Sequence, residues 1–406
     1  MIPLLTLLVA SALAQDAVGD DAHRGLHDAN LDTKTTLYQG VGVLSGDGVQ
    51  RGTGPISLTE ARALNKLELG AVTLKVPLAL SHRQSFGFAL AEMKADTGVE
   101  AALDVGKSEL HAGGELGYTL RPRWLDPYQP LPDGTLAATN RRSYGDGELS
   151  LGAALRPAKR HWVDLDYAYG LADYVTDPSF DPLTSPTHIP PGDHTAHRLE
   201  LSWRTKKTPY RVEAGVHAER RAYTDQYARD AGTGATHAGA GGAPPNPLYV
   251  KWGAEPYAKL RWSPKDSPWT LRCGYGLEVQ QDVYEGYYSY VGSHPEVGVD
   301  YESDSVALKW RSDANVRRYG ANSYAVGGSH PPLLSGDRRR EWRVANSVEA
   351  LYKLGDLWAV VVEADVLVRR TNFPTYIPGV YPAGGQYDID WNYVNTHVLA
   401  GVRYDR

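Results

Sequence analysis

The sequence predicts an all-β protein, a single large antiparallel up-and-down β-barrel of about 16 strands, or about 14 if the three weakest segments are dropped. Three observations predict it. Apolar and polar residues alternate with period two over stretches of roughly 10 to 14 residues, far more than the ~5–6 of an ordinary strand. The connections between stretches run short, then long, in turn. Aromatic residues gather at the ends of the stretches instead of in their middles.

The alternation is plainest near the C-terminus. Trp358, Val360, Val362, Ala364, Val366 and Val368 share one parity, against Glu363, Asp365 and Arg369 on the other. Trp269, Leu271, Cys273, Tyr275, Leu277 and Val279 oppose Arg272, Glu278 and Gln280. Tyr210, Val212, Ala214, Val216 and Ala218 oppose Arg211, Glu213, His217 and Glu219. Successive side chains of a strand point to opposite faces, so each stretch has one apolar and one polar face. Stretches of this length cross a bilayer at a tilt. The expected strands lie near residues 36–44, 67–80, 84–93, 99–105, 109–121, 144–155, 161–174, 195–205, 210–223, 249–262, 269–284, 297–310, 315–326, 340–353, 357–370 and 391–404, with 36–44, 99–105 and 315–326 the weakest.

Between them, short connections fall at 156–160, 206–209, 263–268 and 354–356, and long ones at 122–142, 175–194, 224–248 and 371–390. A membrane barrel segregates its loops in this way, with short periplasmic turns and long external loops. An even strand number brings both ends of the barrel to the short-turn side. Trp162, Trp269 and Trp358 open strands that follow short turns, and Trp203, Trp262 and Trp310 close strands that enter them, joined by Tyr210, Tyr352 and Tyr404. Trp124, Tyr174, Tyr223, Tyr249, Tyr284 and Trp391 mark the opposite ends. Amphipathic rings settle at headgroup level, so two girdles are expected.

Composition narrows the function. A single Cys among 406 residues excludes a disulfide framework or a Cys-based zinc cluster. The 42 basic and 48 acidic residues are interspersed, with no basic stripe to bind nucleic acid. Residues 4–13 are mostly apolar, and Ala12-Leu13-Ala14 has the small-x-small form of a signal-peptidase site, although no Lys or Arg precedes the apolar run. Residues 1–14 are therefore expected to be a signal peptide, 15–35 a polar periplasmic extension and 36–404 the barrel. Beyond residue 13 no apolar run approaches the ~18 residues of a membrane helix.

On these features the chain resembles the large Gram-negative outer-membrane β-barrel class, over residues 36–404. Gly401, Val402 and Tyr404 match part of the closing-strand signature of that class, and Asp405 and Arg406 after the last aromatic depart from it. The resemblance is to an architecture. It implies an outer-membrane location, lipid and lipopolysaccharide around the barrel, and the barrel-assembly machinery as a partner.

A Lys or Arg on the lipid face at mid-membrane costs about 2–4 kcal/mol. The charged parity must therefore line the lumen, which names Arg198, Glu200, Arg204, Arg211, Glu213, Lys251, Glu255, Lys259, Arg272, Glu278, Glu363 and Asp365. Mixed signs leave two readings, a coated water-filled pore or ion pairs bracing a narrow or plugged barrel; a barrel of about 16 strands favours the pore.

Other motifs weigh less. His23 and His27 stand four apart, as metal ligands on a helix would, but nothing nearby holds a helix. Ser57-Leu58-Thr59-Glu60 has a capping-box pattern, so a short helix over 54–70 is expected, in the lumen or on the first external loop. Gly292-Ser293-His294-Pro295 recurs at 328–331, which would put His294 and His330 in adjacent external loops as a paired rim site; repeated turn chemistry explains the echo more simply. Asp164 with Asp166, and Glu363 with Asp365, are same-face carboxylate pairs that lumen polarity accounts for. No catalytic motif is present, and neither a metal nor a cofactor is expected. The 20 to 50 or so residues before the barrel are too few for a full plug domain, which argues against energy-driven uptake of metal chelates. The expected function is a porin-like channel for passive diffusion of small hydrophilic solutes. A component of surface polymer or protein export, and a receptor or adhesin acting through external loops, are the alternatives.

Overall fold

A computed structural model describes residues 29–46, 52–85, 90–121, 124–130, 136–139, 143–175, 192–228, 246–322, 338–371, 374–376, 388–390 and 393–405. In chain order the strands are β1 (Ala29–Gly46), β2 (Gly52–Leu69), β3 (Val72–Ser85), β4 (Leu90–Val105), β5 (Ser108–Leu120), β6 (Trp124–Pro130), β7 (Leu136–Thr139), β8 (Tyr144–Ala158), β9 (His161–Tyr174), β10 (His194–Lys207), β11 (Tyr210–Tyr227), β12 (Leu248–Trp262), β13 (Trp269–Asp282), β14 (Tyr290–Glu302), β15 (Val306–Asn322), β16 (Arg338–Lys353), β17 (Trp358–Thr371), β18 (Pro374–Tyr376), β19 (Asp388–Asp390) and β20 (Tyr393–Asp405). Hairpins β6–β7 and β18–β19 stand outside the main sheet. The other 16 strands form a closed antiparallel barrel in sequence order, sealed by pairing of β1 with β20 from Lys34↔Asp405 to Gly46↔Tyr393. Closure leaves no edge strand with unpaired backbone groups.

The outward parity is apolar and bare. Leu116, Leu149 and Leu151 are 68%, 66% and 62% exposed, and Leu165, Leu201, Leu277, Val297, Val348, Val362 and Val398 continue the belt around the barrel. Each such side chain loses about 1.5–3 kcal/mol if left in water, so a belt of this extent requires an apolar surrounding phase. The chain crosses it in strands of 13 to 18 residues.

Turns at 70–71, 106–107, 159–160, 208–209, 263–268, 303–305 and 354–357 lie at one rim, together with the first residue of β1 and the last of β20. The connections 121–143, 175–193, 228–247, 323–337 and 372–392 lie at the other. Three connections at that far rim, 47–51, 86–89 and 283–289, are about as brief as the turns. Trp203, Tyr210, Trp269, Tyr352 and Trp358 form an outward girdle at the short-turn rim. In-register ring pairs run within it, Trp269 with Tyr301 at 4.8 Å and Trp358 with Tyr404 at 5.0 Å.

Several expectations need correction. Residues 54–70 are not helical: β2 pairs with both β1 and β3. One helix cap contributes only about 1 kcal/mol, against a ladder satisfied on both sides of the strand. Gly70, at φ 64°, makes a two-residue turn inside the expected strand 67–80 that no Pro or Asn announces. β2 is a strand the alternation does not mark, and β4 takes in both 99–105 and the end of 84–93. The segment drawn as 297–310 is split by the turn at 303–305, so Trp310 lies near the start of a strand instead of closing one, at the same rim. The sheet begins at Ala29, inside the expected extension of 15–35.

At the far rim the second girdle is partly an inner feature. Tyr223 and Tyr249 share the parity of Arg221 and Lys251 and stack inside the barrel, 5.0 Å between centroids, with Tyr249 only 6% exposed. Trp162 likewise has the inner parity of Asp164, with the Arg156 guanidinium 5.2 Å from its ring centroid. Residues 1–28, His330, Trp391 and the stretch 232–243 lie outside the described residues.

Candidate functional site: the inner wall

The inner parity carries the charges. Arg198, Glu200 and Arg204 on β10, Arg211 and Glu213 on β11, Lys251, Glu255 and Lys259 on β12, Arg272 and Glu278 on β13, and Glu363 and Asp365 on β17 all alternate with the exposed apolar belt. The register then decides which of them meet. Arg204 reaches Asp164 of β9 at 2.8 Å, Arg272 reaches Asp300 of β14 at 2.7 Å, and Arg317 of β15 reaches Glu278 at 2.9 Å. Arg198 is shared between Glu148 of β8 and Glu219 of β11. Glu219 also accepts from Arg221 at 3.0 Å.

Many of these contacts skip a strand. Lys259 of β12 meets Glu296 of β14 at 3.2 Å, and His294 of β14 meets Glu255 of β12 at 3.1 Å. The strand between them presents Gly274 and Gly276, where a methyl group would overlap the Glu296 and Glu255 carboxylates. His111 of β5 reaches Asp166 of β9 at 2.5 Å over Gly152 of β8 in the same manner. Glycine on the middle strand therefore acts as a window through which side chains two strands apart can touch. Asp164 and Asp166 are each occupied by a basic partner, and so do not form a carboxylate pair.

His294 sits on β14, in register with Gly276, and not in an external loop. Its Gly-Ser-His-Pro segment lies in a strand because both neighbours pair with it up to Ser293, which overrides local turn chemistry. The loop placement of His294 is thereby corrected, since it joins Glu255 and Glu278 inside the barrel, while His330 lies outside the described residues. A second group of the same kind, Glu363, Asp365 and His397, lies on β17 and β20. Sequence reasoning found the carboxylates, set His217 on the polar face and His294 in an external loop, and singled out neither His111 nor His397 as a site residue. Only the strand register brings each imidazole to its carboxylate.

Upward along β11–β16 the inner face becomes aromatic and basic. Tyr249 lies 4.9 Å from Tyr288, and Tyr290 lies 5.2 Å from Tyr319. Arg317 is held 4.7 Å above the Tyr290 ring and Arg339 4.2 Å above Tyr319, arrangements stabilised by the ring quadrupole. Toward the short turn between β16 and β17 the inner parity is apolar instead, with Leu351, Ala359 and Val361 packed together with Leu399 of β20 and Ile56 of β2.

Closed sixteen-strand pairing, a bare apolar belt, an aromatic rim and a charged interior occur together only where lipid lies outside and polar contents inside. The chain is an outer-membrane-type β-barrel. No family model matches the sequence, and no curated protein matches it. Among solved structures the barrel is similar to OccAB1 of Acinetobacter baumannii, with 9% identity over 94% of this chain and 98% of that one, TM-score 0.48. It is also similar to a loop-deletion form of OmpT, an outer membrane protein of Vibrio cholerae, with 11% identity over 93% and 99%, TM-score 0.45. CdiB of Acinetobacter baumannii is similar at 9% identity and TM-score 0.46; this chain aligns over 92% of its own length and spans 60% of the CdiB chain. Likenesses at this level carry no argument about activity, which rests on the inner wall alone.

Proposed function

We propose that the barrel is a porin-like channel for passive diffusion of small hydrophilic solutes, without chemistry of its own. One observation carries this reading. Among the described residues every ion pair joins groups on the same strand, or on strands no more than two places apart in the barrel order. The charges are tied along the wall, and no pair between described residues bridges the bore. A cavity of about 450 Å³ lies against this wall, bordered by Arg198, Glu200, Glu219, Lys251, Glu255 and Glu278. A barrel of 16 or more strands leaves an aqueous channel when its interior groups stay on the wall. Under this reading outer-membrane lipid and lipopolysaccharide surround the belt, β20 is the strand offered to the barrel-assembly machinery, and small polar solutes are the cargo.

Reconstitution in a planar bilayer tests it. Folded barrel should add stepwise conductance with weak ion selectivity, because both signs of charge face the solute. A folded, inserted barrel that passes no current would overturn the channel reading and favour an export component or a receptor acting through the far-rim connections.

A further inference from the structure

The two inner triads of carboxylates and imidazole differ in one respect. In the first, Glu278 is already engaged, by Arg317 at 2.9 Å and by the Asn315 amide at 2.7 Å. In the second, Glu363 and Asp365 take successive inner positions on β17, and His397 of β20 stands opposite Asp365 in register. Its Nε2 lies 2.7 Å from Asp365 Oδ2, and one donor atom from each of the three residues lies within 4.8 Å of the other two. Asp365 and His397 are 26% and 18% exposed, shielded by the wall yet open to the bore.

Glu363 has no basic partner among the described residues. Its cross-strand neighbours are Glu349 and Leu399, and Glu349 is itself taken by Lys309 at 2.8 Å. Glu363 and Asp365 stand two residues apart on one face of β17, with a carboxylate oxygen of each within 4.8 Å of the other and of the His397 ring nitrogen. Among the described residues the basic partner of Asp365 is His397. Carboxylates this close resist joint ionisation unless a cation sits between them.

We infer that Glu363, Asp365 and His397 bind a divalent first-row transition ion such as Zn²⁺. The donor set selects it. An imidazole ligand disfavours Mg²⁺ and Ca²⁺, which take all-oxygen shells, and two carboxylates with no thiolate disfavour Cu⁺. Three protein donors leave coordination positions for water or a solute oxygen, so the ion is exchangeable and faces the bore. Metal binding to carboxylate and imidazole donors competes with protons and is therefore coupled to their release. The site does not depend on whether the barrel conducts.

Calorimetric titration of the full chain, folded in detergent, with zinc chloride alone is the test. Each variant is first checked for folding by its heat-dependent gel mobility. Wild type should bind one ion at this site, with an enthalpy that changes with the buffer's own protonation enthalpy. Loss of an outer-shell partner already costs about 10–100-fold in metal affinity, so Glu363→Gln and His397→Asn should each lose at least about that much. Glu255→Gln, in the other triad, should bind as wild type does. Should His397→Asn fail to fold, Glu363→Gln decides, because it keeps the shape of a residue that has no basic partner to lose. No binding by wild type, or undiminished binding by Glu363→Gln, would overturn the assignment. Conductance is not read in this experiment, so its outcome is separate from that of the channel reading.

Discussion

The hydroxyl of Tyr257 on β12 donates to Glu200 on β10 at 3.0 Å, passing over the whole width of β11. The crossing point is Gly215, which stands in register between Ser202 and Tyr257. A Cβ there would come within 2.9 Å of the Tyr257 ring and 2.6 Å of the Leu201 carbonyl oxygen. His217 stacks on the same ring, 4.8 Å between centroids, so three strands are clamped at one level of the wall. This is the window arrangement of Gly152, Gly274 and Gly276 with an aromatic bolt in place of an ion pair. It makes the charged face cohesive along the wall.

Gly215→Ala should therefore destabilise the barrel by about 1–3 kcal/mol, the usual cost of overpacking. Tyr257→Phe removes only the hydroxyl contact and should cost about 0.5–1.5 kcal/mol. Urea unfolding in lipid vesicles measures both. The double variant should fall short of their sum, because each substitution disturbs the same contact. Wild-type stability in Gly215→Ala would show that the close approach is not a constraint.

Parity gives a second test. Val362→Arg and Leu277→Arg place a cation in the belt at about 2–4 kcal/mol each and should impair assembly. Ser347→Arg, on the inner face opposite Asp365, should assemble normally. Inner positions are not all equal, since a basic residue at Glu278 would confront the bared Arg317 guanidinium. The amount of heat-modifiable protein in outer-membrane fractions reports the result, and equal damage from both faces would contradict the inside-outside assignment.

Orientation can be read with thiols. Cys273 is the one native cysteine and is exposed on the belt. In a Cys273→Ala background, Glu285→Cys lies in the far-rim turn 283–289 and Lys265→Cys in the short-turn rim. A membrane-impermeant maleimide added to intact cells should label the first and spare the second. The reverse pattern would invert the barrel.

Selectivity follows from which partners are left alone. Neutralising Arg198, Arg211 and Lys251 together to Gln bares Glu148 and Glu213 and leaves Glu219 with Arg221 as its remaining basic partner. The reversal potential in a salt gradient should then move toward cation preference, since the field of unpaired carboxylates concentrates cations in the bore. An unchanged potential would mean that solutes do not pass along the β8–β13 wall.

The period-two pattern was sufficient for the barrel and for a strand number near sixteen, because the side-chain direction of a strand is a local property. The pattern nevertheless marked no strand at β2 and divided β4 between two segments. It failed where a local signal competed with pairing. The capping box at Ser57 and the turn-like segment around His294 each lost to ladders made with strands distant in sequence. Partnership was never local. Nothing near Asp365 in the chain announces His397, and nothing near Tyr257 announces Glu200, because register depends on how many residues each intervening turn consumes. Which charges are neutralised within the wall, which Glu stands without a base, and which glycines open the windows between strands were all decided by that register, and so only by the closed sheet.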